Sequence, residues 1–445
     1  MAVTAILIIG EETLLLSFLV ATNLLAIKYS KFKLFMLSKL VFKNTFLFLV
    51  LFVFSCGNSV KKKDTSENKL ELKITSNKVL YHELKTGADN YERYLPLLKN
   101  KKTGIVTNQS GILNDGTHLV DFLLSKKVDL QKIFAPEHGF RGTADAGETI
   151  KNDKDIKTGL PIISLYGTNK KPKAEQLNDI DVLVFDLQDV GARFYTYISS
   201  LHYIMEACAE NNIILIVLDR PNPNGNIIDG PILEKEHHSF VGMHSIPVLH
   251  GMTIGEYAQM INGEKWLKEG IQCSLQVIPC LNYTKNLPYV LPVKPSPNLP
   301  NAQAINLYAS LCFFEGTNVS VGRGTNNQFQ IYGSPYLPKS DYSFTPKPNE
   351  GAKDPLYNNV ICYGEDLTQI QKVKQLELKW LIKAYTETTN KPKFFTTFFT
   401  KLAGTKKLQE QIEKGVSEVE IRTSWKEGLQ RFKEMRKKYL IYKEN

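Results

Sequence analysis

Cysteine is scarce in this chain: six in 445 residues, with no two spaced as Cys-x-x-Cys. That spacing excludes a legible zinc cluster, and six scattered thiols give no disulfide framework. Cys208 and Cys312 sit in apolar runs and read as core thiols. Other signatures are missing too. There is no Gly-x-x-x-x-Gly-Lys-Ser/Thr phosphate loop, no Gly-x-Ser-x-Gly elbow and no His-Glu-x-x-His. The stretch "SVGRG" (320–324) opens no evident helix and is a weak phosphate signal. No internal repeat or low-complexity segment is visible. A basic patch on the folded part is also lacking. The net charge is +10, but residues 1–63 hold eight lysines against two glutamates, so most of the excess lies in the leader. A nucleic-acid binder concentrates that charge on its folded domain, so no nucleic-acid partner is expected.

What is there begins with a leader. Residues 36–43 form a short basic segment, and Phe46–Phe54 is an apolar core of secretory length, too short to span a bilayer of ~20 helical residues. "VFSC" (53–56) resembles a bacterial lipobox, with Cys56 as the lipidated residue and a polar tether after it. Met36 is then the expected start and the cell envelope the expected location. A membrane anchor spanning residues 1–56 is the competing reading, and the lipoprotein is preferred. The leader and tether are assigned to residues 1–77.

From about Lys78 the pattern is α/β. A β-rich run at 103–111 that ends in a polar glycine turn, strands at 130–137 and 159–167, the apolar run 182–185 and a strongly apolar strand within 213–225 alternate with helical periodicity at 117–127 and 197–212. This predicts a parallel sheet covered on both faces. A second part beyond the range 240–300 looks looser, and the division is drawn as 78–240 and 241–445. "LYASLCFFEGTNVSVGRGTNNQF" reads as a strand followed by a loop. Residues 402–442 read as two amphipathic helices, and the proline-rich stretch 287–303 as extended surface chain.

Polar loops follow the strands, where open α/β sheets bind ligands. The stretch "IFAPEHGFRGTADAG" (133–147) carries Glu137, His138, Arg141 and Asp145, with Glu148 beyond. Others carry Asp186, Asp189 and Arg193, then Asp219-Arg220, then Glu315 and Arg323. Paired carboxylates suit acid/base hydrolysis, and arginine forks suit an anionic group. Structural readings compete: Asp219-Arg220 as a local ion pair, Asp186 and Asp189 as caps of the next helix, His138 as a buried hydrogen-bonded ring. Glu137, between proline and glycine on an apolar strand's last turn, is hardest to place without a function.

The blocks "FAPEHGFRGTADAGE", "GLPIISLYG", "DVLVFDLQDVGARFYTYI", "VLDRPNPNG", "IPVLHGMTIGE", "PSPNLP", "FFEGTNVSVGRGT" and "SWKEGLQRFKEMRKKYLIY" resemble, in order, those of the exo-β-N-acetylmuramidase family. The resemblance runs from about Lys78 to Tyr442. It implies a Rossmann-like catalytic domain and a smaller C-terminal α/β domain with the site in the cleft between them. It also implies release of N-acetylmuramic acid from non-reducing ends of peptidoglycan fragments, without a cofactor or metal. Under it, Glu137 is the general acid/base, assisted by His138, and Asp186, Asp189 or Glu315 is the second carboxylate. Asn108 and Asn318 bind sugar hydroxyls or the acetamido group. Arg141 lies in the same loop, and Arg193, Arg220 or Arg323 holds the lactyl carboxylate. A route assisted by the substrate's own acetamido group is also open. Val321 stands where members often carry glutamate, which would impair a relative that used that group. Competing functions are a non-catalytic lipid-anchored muropeptide or sugar binder, and a metal hydrolase using His138, Asp186 and Asp189.

Overall fold

The computed structural model describes residues 83–137, 139–140 and 153–444. The leader with Cys56, together with His138, Arg141, Asp145 and Glu148, lies outside the described residues. The described residues belong to one compact unit.

Its centre is a seven-stranded sheet made of β1 (Thr103–Thr107), β2 (Leu130–Ala135), β3 (Asp153–Lys154), β4 (Pro161–Ser164), β5 (Val182–Asp186), β6 (Ile214–Leu218) and, after the short hairpin β7 (Ile228–Asp229) and β8 (Leu249–His250), β9 (Leu275–Ile278). The order is β3-β4-β2-β1-β5-β6-β9, and every pairing is parallel except β3 with β4. Counted along the six parallel strands this is 3-2-1-4-5-6, the doubly wound Rossmann order, with its switch point between β1 and β5.

Alternation along β5 explains why the strands read as unbroken apolar runs. Val182 and Val184 enter one hydrophobic cluster with Tyr94, Leu98, Leu119 and Leu123, while Leu183 and Phe185 enter the other with Leu201, Met205 and Tyr257. Helices cover both faces, and each fully buried aliphatic side chain there contributes roughly 1.5–3 kcal/mol.

β9 comes from beyond residue 240, so the sheet draws on chain that the sequence division assigned to the second part. The second part has a small antiparallel sheet, β10 (Ile331–Ser334), β11 (Ser343–Phe344) and β12 (Cys362–Asp366), in the order β10-β12-β11. Helices Lys407–Glu413 and Glu418–Arg436 occupy the predicted helical tail, the latter opened by a Ser417/Glu420 capping box.

The expected strand at 307–314 is instead the helix Ala302–Leu311 running into a 3-10 turn, Cys312–Gly316. Asn301 caps it by accepting from the Ala304 N–H at 2.9 Å. All its residues from Ala304 to Leu311 are buried. Its few polar residues, Gln303, Asn306 and Ser310, bond inward to the 367–377 segment and leave no solvent-facing stripe, which is why the run resembled a strand. None of the described helices is long and apolar enough to cross a membrane.

Candidate active site

A cleft of about 450 Å³ opens at the carboxyl-end rim of the sheet. That is within the roughly 300–1,000 Å³ typical of small-molecule sites. The sheet half supplies Glu137 and the run Phe194–Tyr197, and the second half supplies Glu315, Arg323 and the segment 352–356. Tyr166, Phe240, Tyr308 and Phe329 add aromatic walls, whose faces suit the apolar C–H faces of a sugar ring.

Glu137 stands two residues beyond the end of β2, where the strand's burial ends and the polar rim begins. The Thr196 hydroxyl donates to its Oε2 at 2.7 Å. Thr196 is the N-cap residue of the helix Tyr197–Glu210, so that helix fixes the donor. Tyr197, next in the chain, accepts from Asn108 Nδ2 at 2.6 Å, and the Asn108 side-chain Oδ1 accepts from the Ser110 N–H and hydroxyl at 2.9 and 2.6 Å. Asn108 itself is fully buried and lies outside the cleft lining. It holds Tyr197 from behind.

Arg323 Nε donates to Glu315 Oε1 at 2.5 Å. Burial works against the guanidinium charge, but the Glu315 carboxylate outweighs it and leaves Arg323 more basic than usual. Its two terminal amino groups make no other hydrogen bond among the described residues. Burial pushes the Tyr195 and Tyr308 phenols well up, so both remain neutral.

Besides Asn108, the residues Asp186, Asp189, Arg193, Asp219, Arg220 and Asn318, all named from sequence, lie outside the cleft lining. Asp186 is fully buried and gripped in bidentate fashion by Arg220, with Nε on Oδ1 at 2.5 Å and Nη2 on Oδ2 at 2.9 Å. Neither reaches the cleft, because each is the other's counter-charge beneath the rim. Arg220 therefore pairs across strands with Asp186, and the expected local pair with Asp219 does not form. Asp219 instead accepts from Tyr442, Thr253 and Gly255, and burial still pushes it up to about 6. Arg193 is fully buried and donates to four carbonyls, those of Pro231, Ile246, Leu402 and Ala403. Burial lowers it to about 9. It ties three segments together and has no reach to a ligand.

Asp189 lies in the core, accepting from the Gly191 N–H at 2.7 Å, with burial raising it to about 7. Neither aspartate caps the helix that follows, which has no side-chain cap bond. Asn318 also lies outside the lining, although its carbonyl accepts from Ser334 and Tyr357. Val321 is buried in the hydrophobic core away from the cleft, so the departure there does not alter the lining.

The cleft also holds residues the sequence did not single out: Thr196, Ser296, Asn298 and, at the rim, Asp354. Pro295–Asn298 was read as extended surface chain, yet the Pro295 carbonyl accepts from the Tyr195 hydroxyl at 2.8 Å and from Gln109 at 3.3 Å. Among the described residues no cluster of three or more His, Cys, Asp or Glu is arranged to hold a metal ion.

Two family models match most of the unit: "Exo-beta-N-acetylmuramidase NamZ, N-terminal" over residues 103–303, and its C-terminal counterpart over 306–442. The chain belongs to the exo-β-N-acetylmuramidase family. It is a glycosidase. It is 39% identical over 391 residues to the peptidoglycan beta-N-acetylmuramidase NamZ of Bacillus subtilis, covering 81% of this chain and 91% of that one. Two solved DUF1343 family proteins of Bacteroides fragilis share the fold. BF0379 is 45% identical at a TM-score of 0.76, and BF0371 is 29% identical at 0.70. The alignments cover 82% and 81% of this chain and 100% and 99% of theirs.

Proposed function

We propose that this exo-β-N-acetylmuramidase-family enzyme acts on peptidoglycan fragments. It removes terminal β-linked N-acetylmuramic acid from their non-reducing ends. The observation that supports this reading is one cleft holding a glutamate from each half of the chain, with an arginine beside the second and aromatic walls around them.

Glu137, steadied by the Thr196 hydroxyl, gives its proton to the glycosidic oxygen as the bond to C1 breaks. Water then delivers hydroxide to C1, and its remaining proton returns to a carboxylate. Glu315 is the second carboxylate. Arg323, oriented through its Nε by Glu315, offers its terminal amino groups to the lactyl carboxylate, a planar anion that suits bidentate recognition. A sugar without the lactyl group leaves that donor pair unmatched, which gives discrimination against N-acetylglucosamine. Lipidation of Cys56 would hold the enzyme at the envelope, where such ends occur.

Peptidoglycan fragments capped with either sugar at the non-reducing end provide the test. Free N-acetylmuramic acid should appear only from chains that end in it, with no internal cleavage. Release of disaccharides or longer pieces would refute the exo reading. Binding of N-acetylmuramic acid with no cleavage of any substrate would favour a sugar-binding protein.

A further inference from the structure

Asn298 is the feature of the cleft for which the mechanism above has no use. It is 1% exposed, yet it lines the cleft. Its Nδ2 donates to the Gly351 carbonyl at 2.5 Å, while its Oδ1 has no hydrogen-bond partner. The amide cannot reverse to hide that oxygen. The Gly351 carbonyl only accepts, so it requires the NH2 group on its side. A buried amide oxygen left without a donor is costly.

The chain around Asn298 is held from both sides. The Pro295 carbonyl is anchored on Tyr195 and the Lys294 carbonyl on Gln109, both from the sheet half. The Asn298 N–H is turned onto the Ser296 hydroxyl at 3.1 Å. Gly351 begins the segment whose Ala352, Asp354 and Leu356 form the opposite lip. Asn298 thus pins that lip with one end of its amide, while the other end, packed beside Gly351 in the cleft wall, is an acceptor left without a donor.

We propose that Asn298 Oδ1 is a substrate-binding acceptor that takes a hydrogen bond from a donor on the terminal sugar. This rests on the muramidase reading above. The lactyl carboxylate only accepts at working pH, so it is not the partner. With C1 engaged in the glycosidic bond, the donors that remain on the terminal N-acetylmuramic acid are the acetamido N–H and the 4- and 6-hydroxyls, and the titrations use the β-methyl glycosides so that no free 1-hydroxyl adds another. An acceptor built to meet one of these rejects a sugar that lacks it far more strongly than an apolar wall does.

The test is calorimetric titration of the full-length protein with N-acetylmuramic acid and three analogues. One has an ester oxygen in place of the acetamido N–H, and the others are 4-deoxy and 6-deoxy. Wild type should lose about 10-fold or more in affinity for one analogue. Asn298→Ala should lose about as much for the parent sugar and nothing further for that analogue, the coupling that identifies a direct contact.

Should Asn298→Ala fold poorly, Gly351→Ala serves instead. Its added methyl lies 3.0 Å from Asn298 Oδ1 and leaves the Gly351 carbonyl in place. It should give a weaker loss with the same analogue signature. If every analogue loses equally against wild type and variant, Asn298 is only a strut and the inference falls. If wild type binds no N-acetylmuramic acid, the muramidase reading falls and this inference with it.

Discussion

Asp189 and His250 face each other in the core, with 3.7 Å between His250 Nε2 and Asp189 Oδ2. Burial raises Asp189 from 3.8 to about 7. Burial, with the charges of Lys285, Arg436 and Arg193 behind it, lowers His250 from 6.5 to about 3. Between pH of about 4 and 6.5 the folded protein therefore holds one proton on Asp189 and none on His250. The unfolded chain holds one on His250 and none on Asp189. The two states bind equal numbers of protons, so the pair adds no pH dependence to stability in that window.

Removing either partner exposes the other. In Asp189→Asn the depressed His250 remains. Its stability is present above the unfolded value and is lost as pH falls, so stability climbs by about 1.4 kcal/mol per unit as pH rises from about 4 to 6. In His250→Gln the raised Asp189 remains. Its contribution is complete below the unfolded value and is lost as pH rises, a slope of similar size and opposite sign. Over two pH units the variants diverge by about 5 kcal/mol. The raised Asp219 adds the same background to both and cancels in the comparison. Urea unfolding at several pH values reads this directly. Slopes of the same sign, or slopes unchanged from wild type, would refute the reasoning.

Other expectations follow from the same geometry. Thr196→Val removes the hydroxyl that donates to Glu137 and should lower kcat on a chromogenic muraminide about 10-fold with little change in KM. Arg193→Met strands four buried carbonyls. It should cost about 3–5 kcal/mol of unfolding free energy, while product affinity of the remaining folded protein stays near wild type. Arg323→Met removes the partner of Glu315 and should weaken N-acetylmuramic acid by about 10-fold or more while leaving N-acetylglucosamine unchanged in a competition assay.

The parallel sheet was legible because its central strands are buried on both faces. That burial writes unbroken apolar runs such as Val182–Phe185 into the chain. The same burial hid the helix Ala302–Leu311, whose polar residues Gln303, Asn306 and Ser310 turn inward onto the 367–377 segment and mark no solvent face. At the rim, residue type was legible but direction was not. Asp186, Arg193 and Arg220 have the chemistry of a site, yet turn beneath it to meet one another or backbone carbonyls. Whether a charge faces solvent or a partner depends on pairings such as Arg220 with Asp186, one just beyond the end of β6 and the other the last residue of the neighbouring β5. Thr196 and Asn298 escaped notice for the converse reason. Their significance comes only from partners 59 and 53 residues away, and nothing local distinguishes them from a helix start and a proline-rich connector.

The central claim is that Glu137 carries the proton transfer in this cleft. Glu137→Gln keeps the shape and the hydrogen bond from Thr196 but cannot give up and regain a proton. Turnover of a β-N-acetylmuraminide should fall by about 1,000-fold or more, while N-acetylmuramic acid still binds within a few-fold of wild type by calorimetry. Turnover near the wild-type rate in a folded, binding-competent Glu137→Gln protein would contradict the account.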